Sequence, residues 1–321
     1  MRHGVAREMT DAPGRILITG ARGFVGTHLT TALAKAYPDC SLLTPTIDLR
    51  ESDEADKAIR ESSPDVCVHL AAVSSITEAQ QDEENAWRVN LHGSLRIGHA
   101  ILRHVPKCQL LFISTAEAYG ASFRAGAQLD EAAPLAPMNV YSATKAAADL
   151  ALGAIAAQHG LRLVRLRPFN HTGPGQSPQF VVAAFARQIA RIAAGMQDPL
   201  LQVGNLDTWR DFLDVRDVCA AYVACIARRD ELPADTILNL ASGETRRIGD
   251  VLAELQALAG IKVELSIDPS RVRATDLRIA CGNAGRAASL FGWRPVIPWA
   301  QTLRDVIDDW RGRIIGEAGK S

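Results

Sequence analysis

Five short apolar runs, alternating with alanine-rich stretches, constrain the first half of this 321-residue chain more than any other feature. The runs are RILIT (15–19), SLLT (41–44), VCVHL (66–70), QLLFIS (109–114) and LRLVRL (161–166). Most are apolar at successive rather than alternate positions, as strands covered on both faces must be. The stretches between them, near 24–36, 51–61, 83–103 and 140–158, carry the polar striping of covering helices. This alternation predicts an α/β fold built on a doubly wound parallel sheet.

The second half is less regular. NHTGPGQSP (170–178) is too rich in glycine and proline to be anything but loop. A helix is expected from Phe180 to Ala194, an apolar run follows at 200–203, TILNLA (236–241) reads as a buried strand and 247–259 as a helix. The expected division is a large domain from 15–169, 207–242 and 299–313, with a smaller, discontinuous C-terminal domain from 170–206 and 243–298. Residues 1–14 read as a flexible leader.

With 35 basic and 36 acidic residues the formal net charge is −1, which speaks against a nucleic-acid partner. The six cysteines lie scattered, without metal-ligand spacing, so no metal site is expected and a reducing, cytoplasmic setting is. No stretch reaches the roughly 18 apolar residues of a membrane span.

Directly after the first run comes Thr19-Gly20-Ala21-Arg22-Gly23-Phe24-Val25-Gly26. Glycines at 20, 23 and 26, between a strand and a helix, let backbone N–H groups approach a pyrophosphate at the positive helix end. The sheet is therefore expected to be of the Rossmann type, with a dinucleotide as cofactor. An acidic residue about 20 positions on usually holds the ribose of NAD. Here that place reads Leu43-Thr44-Pro45-Thr46, with no carboxylate until Asp48, and Arg22 sits in the glycine turn near the place of a 2′-phosphate. NADP(H) is favoured on this pattern, NAD(H) being the alternative. Asp48, followed by Leu49, suits a contact to the adenine or the start of a helix.

Tyr141 and Lys145 stand four residues apart in an alanine-rich helix, so both point from one face. An ammonium beside a phenol favours the phenolate and would let the tyrosine exchange a proton near neutrality. The fourth run ends in Ser114 and Thr115, hydroxyls at a strand's carboxyl end, where a substrate carbonyl is readily held.

The set GARGFVG, HLAA (69–72), ISTAEAYG, YSATK and RPFN (167–170) resembles the extended short-chain dehydrogenase/reductase superfamily from Arg15 almost to the end. RPFNHTGPGQSPQFVVAAFARQIA and VGNLDTWRDFLDVRDV are similar, more specifically, to the GDP-6-deoxy-4-keto-mannose reductases, which form GDP-D-rhamnose. The resemblance implies Tyr141 as the acid, Lys145 as its partner and Thr115 as hydrogen-bond donor to the carbonyl, with Ser114 as the alternative hydroxyl. It implies cofactor contacts from the glycine turn (Gly20, Arg22, Gly23, Phe24, Val25, Gly26), Asp48 and Leu49, Leu70, Ala71 and Ala72, and Pro168. On the substrate side it implies Asn170, His171, Phe180 and Val181, with Arg210 and Arg273 on the diphosphate and Asp276 on the nucleotide ribose. Pairing of the long helices between subunits would make a homodimer.

Glu117, two places after Thr115, complicates this picture. In the GDP-mannose 4,6-dehydratases a glutamate so placed acts as base in water elimination, so that resemblance implies a lyase or an epimerase. The longer segments at 167–190 and 203–218 resemble the reductases. A dinucleotide sensor without catalysis is a third reading, against which both Tyr141 and Lys145 stand.

Overall fold

The computed structural model describes residues 12–269 and 277–318. Its strands are β1 (Arg15–Thr19), β2 (Ser41–Leu43), β3 (Val66–His69), β4 (Gln109–Ile113), β5 (Leu163–Pro168), β6 (Asn170–Thr172), β7 (Leu200–Val203), β8 (Trp209–Asp214), β9 (Asp235–Leu240), β10 (Thr245–Arg247), β11 (Glu264–Ile267) and β12 (Ile279–Ala280). The helices are α1 (Phe24–Ala36), α2 (Ser52–Ser62), α3 (Ile76–Gln81), α4 (Glu83–Ala86), α5 (Ser94–His104), α6 (Val140–His159), α7 (Val181–Ala193), α8 (Val215–Ala227), α9 (Ile248–Ala259), α10 (Gly285–Phe291) and α11 (Trp299–Ala318). A π-helical segment (Trp87–Gly93) joins α4 to α5, and a 3₁₀ segment (Ala116–Ala125) follows β4.

Six parallel strands form the main sheet in the order β2-β1-β3-β4-β5-β9. Successive residues of β1 explain its unbroken apolar sequence. Ile16 and Ile18 pack with Leu29 and Leu33 of α1 and Val218 and Tyr222 of α8, whereas Leu17 joins Ile59, Ile97 and Leu152 under α2, α5 and α6. Both faces of β1 are covered, which explains three consecutive buried apolar residues there.

A second core is made by α7, α9 and α11 with β7 and Phe212. Beside it, β8 pairs with β6 and β12 in parallel and with β10 antiparallel. Several assignments made from the sequence change here. Residues 299–313, expected with the dinucleotide-binding part, lie in α11, whose Leu303, Val306, Ile307, Trp310 and Ile314 pack into the second core. The stretch 209–214, expected to rejoin the main sheet, is β8 of the smaller one. Conversely Ala287 of α10 and Trp293 join the main core. Helical periodicity reveals an apolar face but not which of two cores it covers. The stretch expected as one helix over 83–103 is interrupted by the π segment, and α3 was not expected. Of the expected leader, residues 1–11 lie outside the described residues, as do Arg273 and Asp276. No described helix is long and apolar enough to cross a membrane.

Candidate active site

The glycine turn leaves β1 through Gly20, whose φ of +72° suits glycine. A Cβ on Gly20 would lie 2.8 Å from the Ala71 nitrogen, and one on Gly26 only 2.4 Å from the Gly20 carbonyl oxygen. Gly23 caps α1 without a side-chain hydrogen bond, and the first turn holds no acidic residue. The N–H groups at the positive end of α1 are thus left for an anion, and the bare backbone lets one approach. A dinucleotide pyrophosphate fits this cradle. Phe24 and Val25 turn towards the main core, and Arg22 is exposed on the turn.

The turn is tied to the end of β3. Leu70 N donates to the Thr19 carbonyl and Ala71 N to Thr19 Oγ1, each at 3.2 Å; Ala72 follows, half-buried. Asp48 is engaged otherwise than expected. Arg50 grips its carboxylate through Nε and Nη2 at 2.8 and 2.6 Å, holding it down at about 2, and Glu51, not Asp48, caps α2. Leu49 is buried in the core, leaving its backbone as the part that faces outwards, where Arg96 bonds its carbonyl.

Helix α6 begins at a capping box. Asn139 Oδ1 accepts from Ser142 N at 2.9 Å, and Ser142 Oγ accepts from Asn139 N at 3.2 Å. That fixes the first turn, in which Tyr141 sits. Thr115 lies beside the Tyr141 phenol and lowers its pKa; it caps the 3₁₀ segment, where its hydroxyl accepts from Glu117 N at 3.2 Å. Burial pushes the phenol up to about 12; Thr115 opposes this and the Glu117 carboxylate adds to it. Lys145 is buried and its ammonium brought down to about 8 by desolvation, against the pull of Asp149. Its Nζ donates to the Ile113 carbonyl and lies 4.5 Å from the centre of the Phe112 ring. The expectation that Lys145 draws the phenol towards neutrality is therefore corrected. Burial of Tyr141 favours its protonated form.

Ser114 is buried with its hydroxyl making no hydrogen bond among the described residues, which leaves Thr115 as the hydroxyl beside Tyr141. Pro168 ends β5 opposite Leu240, and Asn170 pairs with Phe212 in the β6–β8 ladder. The His171 ring stacks on Phe24 at 6.2 Å and 6°, and its Nδ1 bonds the Phe169 carbonyl at 2.9 Å; burial lowers its pKa. Phe180 and Val181 stand at the start of α7, Phe180 exposed. Arg210 donates from Nη1 to the carbonyls of Trp209 and Leu277 at 2.9 and 2.8 Å. Asp211, next to it, accepts from Ser242, Gly243 and Gly282 in a buried loop contact. A cavity of about 560 Å³ beside Gln128, Ser242, Arg246 and Trp299 is lined by none of Thr115, Glu117, Tyr141 and Lys145.

The family model described as NAD dependent epimerase/dehydratase family matches residues 16–241. The chain belongs to this family. It is similar to the GDP-6-deoxy-D-mannose reductase of Pseudomonas aeruginosa, 35% identical over 302 residues, covering 94% of this chain and 98% of that one. It is also similar to the UDP-glucose 4-epimerase of Streptomyces lividans, 27% identical over 88% of this chain and 92% of the relative. Among solved structures, that of RMD from Pseudomonas aeruginosa complexed with NADPH superposes with a TM-score of 0.85, at 34% identity over 94% of this chain and 99% of that chain. The UDP-glucose 4-epimerase of Thermus thermophilus in complex with NAD gives 0.81 at 27% identity, covering 93% and 99%.

Two groups of contacts in this epimerase/dehydratase chain are not legible in the sequence. Asn90, in the π segment, accepts from Val73 N at 2.8 Å and donates to Val73 O at 3.0 Å, pinning the loop after Ala72. His69 lies wholly buried between Thr19 Oγ1 at 2.7 Å and Ser94 Oγ at 3.0 Å, and Ser94 donates on to the Asn90 carbonyl. Because Ser94 spends its proton on Asn90, His69 donates to it from Nε2 and accepts at Nδ1. The available signal was a polar amide on an otherwise apolar helical face. The second group, Asp149 with Arg165 and Arg167, lies under α6.

Proposed function

We propose that this chain reduces the C4 ketone of a nucleotide-activated 4-keto-6-deoxyhexose, turning GDP-4-dehydro-6-deoxy-D-mannose into GDP-D-rhamnose at the expense of NADPH. One observation carries the reading: Tyr141 and Lys145 sit one turn apart on α6, beside Thr115 at the carboxyl end of the sheet whose first strand opens into the glycine cradle. Similarity to the Pseudomonas reductase over 98% of its length supports the choice of substrate.

In this reading the main core with its sheet carries the dinucleotide, and the second core the sugar nucleotide. Gly20, Gly23 and Gly26 admit the pyrophosphate to the end of α1. Lys145 supplies the positive charge near the ribose, and Pro168 borders the ring. Hydride is the chemistry such a dinucleotide supplies when bound. Thr115 and Tyr141 hold the ketone oxygen, and Tyr141 passes its proton to that oxygen as negative charge builds there. Asn170, His171, Phe180, Val181 and Arg210 then border the sugar and diphosphate.

NADPH is preferred to NADH in this proposal. The absence of a carboxylate just past β2, the engagement of Asp48 by Arg50 and the exposed Arg22 all support it, as does the NADPH in the Pseudomonas RMD structure. NAD(H) remains the second choice, as it accompanies the Thermus epimerase. A homodimer through α5 and α6 is supported by Leu150, 59% exposed on α6. A cytoplasmic location is supported by six unpaired cysteines.

The test is direct. Protein mixed with NADPH and GDP-4-dehydro-6-deoxy-D-mannose should bleach the near-ultraviolet absorbance of NADPH and yield a 6-deoxyhexose nucleotide. A second reading, dehydration of GDP-mannose, is favoured by the charge of Glu117 acting on Tyr141. It would convert GDP-mannose with no net loss of NADPH.

A further inference from the structure

The proposed chemistry leaves His69 unused, although it is wholly buried at the carboxyl end of β3. Its side chain lies on the sheet face that carries Leu17, Cys67 and Phe112, where an apolar group would be easier to bury. The two ring nitrogens meet different partners. Nδ1 lies 2.7 Å from Thr19 Oγ1, across the β1–β3 pair in which the two residues stand directly opposite. Nε2 lies 3.0 Å from Ser94 Oγ, and Ser94 donates its own proton to the Asn90 carbonyl at 2.6 Å. The Asn90 amide in turn reaches Thr144 of α6.

Each proton in this chain has one place. Ser94 is committed to Asn90, so Nε2 carries the imidazole proton and Nδ1 accepts from the Thr19 hydroxyl. That hydroxyl in turn accepts from Ala71 N at 3.2 Å, and the Thr19 carbonyl accepts from Leu70 N. Gly20, the next residue, passes so close to β3 that a Cβ on it would stand 2.8 Å from the Ala71 nitrogen. A displacement of Thr19 is therefore a displacement of the cradle itself.

We propose that His69 is a positioning residue of the glycine cradle: by accepting from the Thr19 hydroxyl at Nδ1, it fixes Gly20 and the start of α1 where a dinucleotide pyrophosphate docks. This rests on the reading of the glycine turn as the NADPH site. The role needs a neutral imidazole, and burial lowers the ionisation of His69 in that sense. Asparagine and glutamine divide the two nitrogens between them. The asparagine amide falls where Nδ1 stands and can still accept from Thr19, whereas that of glutamine reaches the place of Nε2 and meets Ser94 alone.

The experiment is NADPH affinity of the full chain, followed by fluorescence, beside the melting temperature without cofactor. Both substitutions should lower the melting temperature, since each leaves a void and an unpaired group. His69→Gln should weaken NADPH binding about tenfold, the size of one lost hydrogen bond, whereas His69→Asn should stay within about twofold of the intact protein. Two further variants repeat the division around an intact imidazole. Thr19→Val should weaken binding about tenfold and Ser94→Ala should scarcely change it, and these decide the matter if the His69 variants do not fold. Affinity that falls alike in every variant, or simply follows the melting temperature, would make His69 a structural residue and end the proposal. A protein that shows this division for NADPH but reduces no 4-keto sugar nucleotide would sink the functional reading and leave His69 standing.

Discussion

Asn90 donates its side-chain amide to the Thr144 hydroxyl at 2.9 Å, and that hydroxyl donates in turn to the backbone carbonyl of Tyr141 at 2.8 Å. One buried amide therefore holds the loop after β3 and the first turn of the catalytic helix in a single frame. Replacing it by leucine strands both polar groups of Val73 away from water. Asn90→Leu should cost about 3 kcal/mol, the scale of two or so buried groups left unpaired, and should weaken NADPH binding as well. Denaturant unfolding and a binding titration check both halves; unchanged affinity would detach Asn90 from the cofactor side.

The phenol is the proposed proton source, and removing it leaves the shape of the site intact. Tyr141→Phe should lower turnover by roughly 10²–10⁴, the usual loss for a general acid, with NADPH affinity close to normal. Near-normal turnover in this variant would contradict the assignment.

Arg22 is exposed on the glycine turn, where it has little structural work. Arg22→Ala should raise the KM for NADPH, leave that for NADH nearly as it was, and scarcely move the melting temperature. Equal effects on the two cofactors would remove Arg22 from the 2′-phosphate.

His69 is wholly buried and its ionisation is lowered by burial to about 3, with the Lys145 charge adding to the effect. The unfolded chain takes up a proton near 6.5, where the folded one does not. Stability from this residue is therefore complete above that pH and declines as pH falls towards 3. The loss should reach about 2 kcal/mol by pH 5, from about 1.4 kcal/mol per pH unit. Unfolding curves between pH 7 and 5 would show it, and in His69→Gln the decline should flatten.

The strands of the main sheet were legible because a strand covered on both faces is mostly apolar at successive positions, and β1, β3 and β4 are. Tyr141, Lys145 and Thr115 were legible because their spacing and the strand-end position are local. What escaped depends on contacts between distant parts of the chain. Asn90 meets Thr144 across 54 residues. Asp149 finds Arg165 and Arg167 only once α6 lies over β5. For α11 the stripe is plain in the sequence, yet two cores compete for it, and the faces of α7 and α9 decide. The ionisation of Tyr141 went the other way from expectation for the same reason. Spacing showed the nearby ammonium but not the desolvation that outweighs it.

The Phe24–His171 stack joins the turn that opens α1 to β6, just after β5. A protein engineer who wished to refit one bed, for another dinucleotide or another sugar, would find them sharing a wall. A smaller ring at 24 withdraws support from 171, and a bulkier one displaces it. Retuning either side therefore calls for paired substitutions, and libraries that vary one loop at a time will undersample the solutions that work.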